Sequence, residues 1–180
     1  MLSMRKPRML REGARYHVGA RINRREMRLH EIQDKILFLD IVKKAKTRYR
    51  FRIENFCVMG NHYHLVIQPL KGENLSRLMQ WIMSVFAMTY NRRRGLSGHV
   101  WGERFYSRII DGLREYLQVF SYIDENPVRA QLVGSSWSWL FGGLSHHRRG
   151  CRDLIDPLPD WGALPLPAHY ILMLPSPRAL

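Results

Sequence analysis

The sequence predicts an α+β fold, a ferredoxin-like antiparallel sheet with helices packed against it. Three observations lead there. The apolar period switches repeatedly between two and about 3.6 residues, Gly60-Asn61 makes a two-residue hairpin signal between strand-like runs, and the resulting order is strand, helix, strand, strand, helix, strand.

Ala14 to Ile22 is rich in strand formers and ends in a polar turn. Glu31 to Thr47 carries Ile32, Ile36 and Leu39 at helical spacing with charges between them. Phe51 to Met59 reads as a strand, and His62 to Gln68 as the next, joined through Gly60-Asn61. Asn74 to Arg92 aligns Leu75, Leu78, Met79, Ile82 and Phe86 on one helical stripe. Phe105 to Ile110 is a short fourth strand, and Leu113 to Glu125 a third helix with Leu113, Leu117 and Phe120 as its buried seam.

The chain has 180 residues, 29 basic against 15 acidic side chains, and a formal net charge of +14. Because 46% of residues are hydrophobic, a disordered polycation is excluded. A field of this sign attracts polyanions, so nucleic acid and an acidic membrane surface are the candidate partner classes. No run of about 18 apolar residues exists, and Met1 to Arg11 lacks the apolar stretch of a secretory signal. A soluble cytoplasmic protein without a membrane partner is the expectation. Cys57 and Cys151 have no second pair for a disulfide or metal framework and read as free thiols. Residues 1–28 hold nine Lys/Arg against Glu12 and Glu26, half of the net charge. Six of the nine prolines lie from Pro157 onward, where they oppose regular helix or sheet. The expected division is a domain over residues 1–140 with a basic N-terminal segment, and a proline-rich tail over 141–180.

The densest chemical signal is Val58-Met59-Gly60-Asn61-His62-Tyr63-His64-Leu65-Val66-Ile67. On a strand, residues two apart share a face, so His62 and His64 project side by side. Such a pair either shares a divalent cation, which requires a third ligand, or is two unrelated sheet histidines. A second signal is Tyr122-Ile123-Asp124-Glu125-Asn126-Pro127-Val128-Arg129-Ala130. At about 100° per residue, Tyr122 lies about 180° from Leu113 and off the buried seam, while Asn126 shares the face of Tyr122. Tyr116 lies about 60° from Leu113, nearer the seam, and is the poorer nucleophile candidate. Asn126 before Pro127 also reads simply as a cap of a short turn.

Together these segments resemble a known family. His62-Tyr63-His64 resembles the HUH motif, and Tyr122 through Val133 resembles the tyrosine-helix signature of single-tyrosine transposases, above all the REP-associated tyrosine transposases. The resemblance extends to Ala14-Arg15-Tyr16-His17-Val18 and Trp101-Gly102-Glu103-Arg104-Phe105, and covers residues 8–140. Tyrosine fills the middle HUH position, and Gln131 stands where many relatives have glycine. The resemblance implies the HUH endonuclease fold, with His62, His64 and Asn126 as ligands of Mg²⁺ or Mn²⁺ and Tyr122 as nucleophile. It further implies cleavage of single-stranded DNA beside a hairpin through a 5′-phosphotyrosyl enzyme, by a monomer or homodimer associated with a prokaryotic nucleoid. A phenol with a pKa of about 10 is a poor nucleophile at neutral pH, so a cation at the phosphate suits the chemistry. The rival reading is a domesticated relative that grips hairpins without cutting; a weaker one is a hydrolase in which water attacks.

Arg15, Arg21, Arg24, Arg25, Arg104 and Arg108 are the expected DNA-binding residues, able to neutralise backbone phosphates. Trp101 and Tyr106 are candidate stacking surfaces for unpaired bases, whereas Trp81 lies beside a helix seam and Phe105 belongs to a strand.

Overall fold

A computed structural model of the chain describes residues 8–159. Its elements are β1 (Arg15–Arg21), α1 (Ile32–Ala45), β2 (Phe51–Val58), β3 (His62–Pro69), α2 (Leu75–Arg94), β4 (Tyr106–Ile110), α3 (Gly112–Asp124), α4 (Asn126–Arg129) and α5 (Gly143–Arg149). Every element expected from periodicity is found within two residues of its expected bounds. The strands form one antiparallel sheet in the order β2-β3-β1-β4, which is the ferredoxin-like arrangement. Among the described residues, no helix is long and apolar enough to cross a membrane.

The sheet separates two apolar clusters. Tyr16, Val18, Tyr63, Leu65 and Ile67 point to α1 and α2, where they meet Phe38, Ile82 and Phe86. Cys57, Met59 and Val66 point to the other face, where they meet Tyr116, Phe120 and Ile123 of α3 and Leu144 of α5. α2 behaves as its sequence dictates: Leu75, Leu78, Met79, Ile82 and Phe86 are all buried, Asn74 caps its start by accepting from the Arg77 amide, and Gly95 ends it at φ 61°.

Two helices are rotated from their expected phase. Ile32 and Ile36 are 61% and 47% exposed, and α1 instead faces the sheet with Leu37, Phe38, Ile41, Val42 and Ala45. This stripe is wider and reaches further along the helix, and it is the stripe that contacts α2 and the sheet. Polar groups fill the buried start of α1, where Lys35 Nζ donates to the His30 carbonyl at 2.5 Å and Asp34 accepts from Arg94 at 2.7 Å. On α3 the buried line is Tyr116, Phe120 and Ile123, with Leu113 and Leu117 only half-buried. Tyr122 lies off that line and is 41% exposed, whereas Tyr116 is 2% exposed.

Packing also continues past residue 140. Leu144, Leu154 and Ile155 are buried, and Asp156 docks on β2, accepting from the Ile53 amide at 2.8 Å while its own amide donates to the Ile53 carbonyl at 2.7 Å. Proline content marks only the stretch that begins at Pro157, most of which lies outside the described residues.

Candidate functional site

Side-chain alternation along β1 sends His17, Gly19 and Arg21 to the face that carries α3, and along β3 it sends His62, His64 and Val66 there. The antiparallel register sets Gly19 opposite His64 and Arg21 opposite His62. A Cβ at position 19 would lie 3.0 Å from His64 Nδ1 and 3.0 Å from the Tyr63 carbonyl oxygen. Glycine thus leaves the space that the His64 ring occupies.

Three imidazoles and one phenol meet here. The His62 and His64 rings are 5.2 Å apart, and His64 is 5.1 Å from His17. The Tyr122 ring reaches in from α3 of the same chain, 5.3 Å from His64 and 5.9 Å from His17. Asn126, the first residue of α4, turns its Oδ1 to within 3.3 Å of His62 Nε2. Burial pushes the His64 imidazole down to about 3, with His17, His62 and Arg21 acting in the same direction. Burial likewise pushes His17 down to about 4, aided by Arg108. His62 is lowered by burial, opposed by its contact with Asn126 and aided by Arg21. All three rings are therefore neutral at pH 7, each with one proton and one lone pair.

Where those protons sit follows from the partners. The amide Nδ2 of Asn61 donates to the Arg25 carbonyl at 3.2 Å, which turns Asn61 Oδ1 toward His62 Nδ1 at 2.7 Å. An amide oxygen only accepts, so the proton of His62 is on Nδ1. The lone pair of Nε2 then faces Asn126 Oδ1, whose amide nitrogen turns to the Tyr122 carbonyl at 3.5 Å. Two acceptors facing each other across 3.3 Å are electrostatically unfavourable alone and become favourable around a cation. His64 Nδ1 lies 3.1 Å from His17 Nε2. With the proton on His64 Nδ1 and His17 accepting, His64 Nε2 offers its lone pair as well. This donor set of two imidazoles and an amide oxygen fits a small divalent ion with open positions.

The cleft over these groups, about 700 Å³, is also lined by Arg21, Arg24, Arg25, Arg104 and Tyr106. Arg24 and Arg25 follow β1 in a left-handed turn with φ of 53° and 58°. For residues with a Cβ, such backbone costs about 1 to 2 kcal/mol each, so neighbouring contacts hold it. The Asn23 amide donates to the Val100 carbonyl at 2.9 Å, and Asn61 Nδ2 holds the Arg25 carbonyl.

Two of the expected DNA contacts form ion pairs within the protein. Arg15 Nε lies 3.0 Å from the buried carboxylate of Glu54, and Arg108 pairs with Glu115 at 2.6 Å. Trp101 donates from Nε1 to the Met83 carbonyl at 2.9 Å and packs on Phe38, Tyr63 and Phe86, so it belongs to the core. Tyr106 is 53% exposed and 5.7 Å from His17, a free ring at the cleft. Phe105 is covered by the Arg8 guanidinium at 3.6 Å. Sequence reasoning missed His17, Gly19 and Asn61 as parts of this site. The alternation of His17, Gly19 and Arg21 was the available signal, but it gains meaning only once β1 is known to pair with β3.

Comparison with known proteins bears on the fold and the family. A REP-associated tyrosine transposase of Haemophilus influenzae is 24% identical over 138 residues, covering 71% of this chain and 76% of that protein. The solved structure of a REP-associated tyrosine transposase bound to a REP hairpin superposes with a TM-score of 0.69 at 23% identity, covering 89% of this chain and 94% of that one, and shows the same fold. The family described as "Transposase IS200 like" matches residues 11–126, well over half of the sequence. With that match spanning β1 through Asn126, the chain belongs to the IS200-like transposase family.

Proposed function

We propose that this protein is a single-strand DNA endonuclease and strand transferase acting beside hairpin DNA, with Tyr122 as nucleophile and His62, His64 and Asn126 holding Mg²⁺ or Mn²⁺. One observation carries the reading. The exposed Tyr122 ring lies 5.3 Å from His64, and Asn126 Oδ1 lies 3.3 Å from His62 Nε2. The hairpin partner is supported by the solved relative, which is bound to a REP hairpin.

When bound, the ion withdraws charge from a phosphate oxygen and fixes its orientation. The rest falls to the chain. Arg21, Arg24, Arg25 and Arg104 line the cleft and neutralise backbone phosphates. The Tyr122 oxygen attacks phosphorus, forming the Tyr–O–P bond as the bond to the 3′ oxygen breaks. The phenol loses one proton and the departing 3′ oxygen gains one. The product is a 5′-phosphotyrosyl enzyme and a free 3′-hydroxyl. One phosphoester replaces another, so resealing to a second strand needs no ATP. Tyr122 comes from the same chain as the histidines, so a monomer contains the full set of groups.

The test is a denaturing gel of protein incubated with labelled hairpin oligonucleotides and Mn²⁺. A protein–DNA adduct that disappears in both Tyr122→Phe and His64→Ala is expected. Cleavage that survives Tyr122→Phe would favour attack by water, and tight binding without an adduct across a hairpin panel would favour a DNA-binding protein that does not cut.

A further inference from the structure

Asn61 joins two halves of the cleft that are far apart in sequence. It occupies the β2–β3 turn, closed by the Met59 amide on the His62 carbonyl at 2.8 Å. Its backbone carbonyl accepts from the Ile22 amide at 2.8 Å, which ties this turn to the end of β1. Its side chain then does two separate things. Oδ1 accepts from His62 Nδ1 at 2.7 Å, and Nδ2 donates to the Arg25 carbonyl at 3.2 Å.

We infer that Asn61 is a positioning residue that sets the tautomer and direction of His62 and, through its other amide atom, holds the left-handed turn presenting Arg24 and Arg25. The two duties depend on each other. An amide has one donor end and one acceptor end, and the Arg25 carbonyl can take only the donor. Holding the arginine turn therefore commits Oδ1 to His62, and this commits the His62 proton to Nδ1. Nε2 is left with its lone pair toward Asn126. Histidine ligands generally depend on such a partner at the second ring nitrogen, and losing it typically weakens metal binding by about 10- to 100-fold. Arg24 and Arg25 hold positive φ without the freedom of glycine, so release of the Arg25 carbonyl lets the turn relax away from the cleft.

Asn61→Asp separates the two duties. A carboxylate still accepts from His62 Nδ1 but cannot donate to the Arg25 carbonyl. Asn61→Ala removes both. The ligand role of His62 rests on the proposed nuclease reading, but its tautomer does not, so long-range ¹H–¹⁵N spectra of the imidazoles in metal-free protein come first. The wild-type protein and Asn61→Asp should show His62 protonated at Nδ1, and Asn61→Ala should shift it to a mixture or to Nε2. Mn²⁺ titration followed by electron paramagnetic resonance should show binding at least about 10-fold weaker in Asn61→Ala and retained in Asn61→Asp. Hairpin binding in EDTA should weaken in both variants, with a shallower salt dependence. An unchanged His62 tautomer in Asn61→Ala overturns the first duty, and hairpin binding by Asn61→Asp equal to wild type overturns the second. If the wild-type protein binds no Mn²⁺ while the tautomers behave as stated, the nuclease reading fails and the positioning role stands.

Discussion

Asn55 Nδ2 donates to Asp124 Oδ1 at 2.9 Å, a buried bond that ties β2 to the last turn of the helix carrying Tyr122. A β-bulge makes it possible. The pairing of β2 with β3 steps from Ile53↔Ile67 to Asn55↔Val66, which leaves Glu54 as the extra residue and turns both Glu54 and Asn55 toward α3. Glu54 meets Tyr116 near the start of α3 and Asn55 meets Asp124 at its end, so two consecutive residues fix the helix at two points. Gly143 supplies the clearance, since a Cβ there would sit 2.2 Å from Asn55 Oδ1. Asn55→Ala should destabilise the protein by about 1 to 3 kcal/mol, the usual cost of losing a buried hydrogen bond to a charged group. Urea denaturation measures this. Adduct formation should fall more than hairpin binding does, because the position of Tyr122 is what loosens; equal loss of both would argue against the clamp.

The room beside His64 is equally specific. Gly19→Ala places a methyl 3.0 Å from His64 Nδ1 and from the Tyr63 carbonyl, and the carbonyl cannot yield without breaking sheet pairing. The ring must move, which disturbs its 3.1 Å contact with His17. Overpacking of this kind costs about 1 to 3 kcal/mol. Circular dichroism should show a folded sheet, while the adduct rate drops by about 100-fold, as expected for a misplacement near 1 Å.

Much of this was legible beforehand, and the division has a physical basis. Period-two and helical patterns report local burial, so every strand and helix of the ferredoxin-like core appears near its expected place. The off-seam position of Tyr122 also follows from helical spacing and holds in the structure. The phase of α1 did not follow, because Ile32, Ile36 and Leu39 and the Leu37, Phe38, Ile41 stripe both satisfy helical spacing, and only contact with the sheet chooses between them. Arg15 looked like part of a basic surface, since nothing local shows that a bulge on β2 aims Glu54 at it. His17 and Asn61 acquire their roles through strand pairing and a turn contact, which spacing along one chain does not encode.

Gln131 follows Ala130, just past the end of α4, and holds φ 57°, the left-handed conformation that glycine adopts without a Cβ penalty. Its amide donates to the Val128 carbonyl at 2.8 Å, so the conformation closes the turn. Gln131→Gly should raise stability by about 0.5 to 1 kcal/mol, relief of left-handed strain net of the added backbone entropy of glycine. The adduct rate should not change. A lower melting temperature would show that the glutamine side chain contributes more than its backbone costs.

Acid should weaken the fold before carboxylates dominate. His17 and His64 titrate near 4 and 3 in the folded protein against 6.5 in the unfolded chain, chiefly through burial. Between those values the unfolded chain binds protons that the native state refuses, so stability falls as pH falls from about 6.5 and recovers as pH rises. His62, His146 and His147 shift in the same direction through burial, while Glu54, raised by burial, opposes them. From pH 7 to pH 5, a net loss of roughly 2 to 4 kcal/mol is expected. Urea midpoints measured across that interval should decline steadily; a flat profile would mean that the imidazoles are readily protonated in the native state.

The arginines divide by what they touch. Arg15 serves Glu54, whose side chain is 1% exposed, so Arg15→Ala removes the main cation from a buried carboxylate. Breaking such a pair costs about 3 to 5 kcal/mol, discounted here because Arg15 is itself partly solvated; a melting shift equivalent to about 2 to 3 kcal/mol is expected. Arg24 and Arg25 line the cleft and are exposed, so Arg24→Ala and Arg25→Ala should leave the melting temperature almost unchanged. For single strands each phosphate contact contributes about 0.7 to the slope of log affinity against log salt, so each of these two variants should flatten the slope by about that amount. Arg15→Ala should leave the slope as it was. Filter binding to a hairpin oligonucleotide in EDTA between 50 and 200 mM salt, a range wide enough for roughly 1,000-fold changes when many phosphates are held, separates the two groups. An unchanged slope in Arg24→Ala and Arg25→Ala, with a flatter one in Arg15→Ala, would place the nucleic acid at the Arg15 end of β1 and away from the Arg24–Arg25 turn.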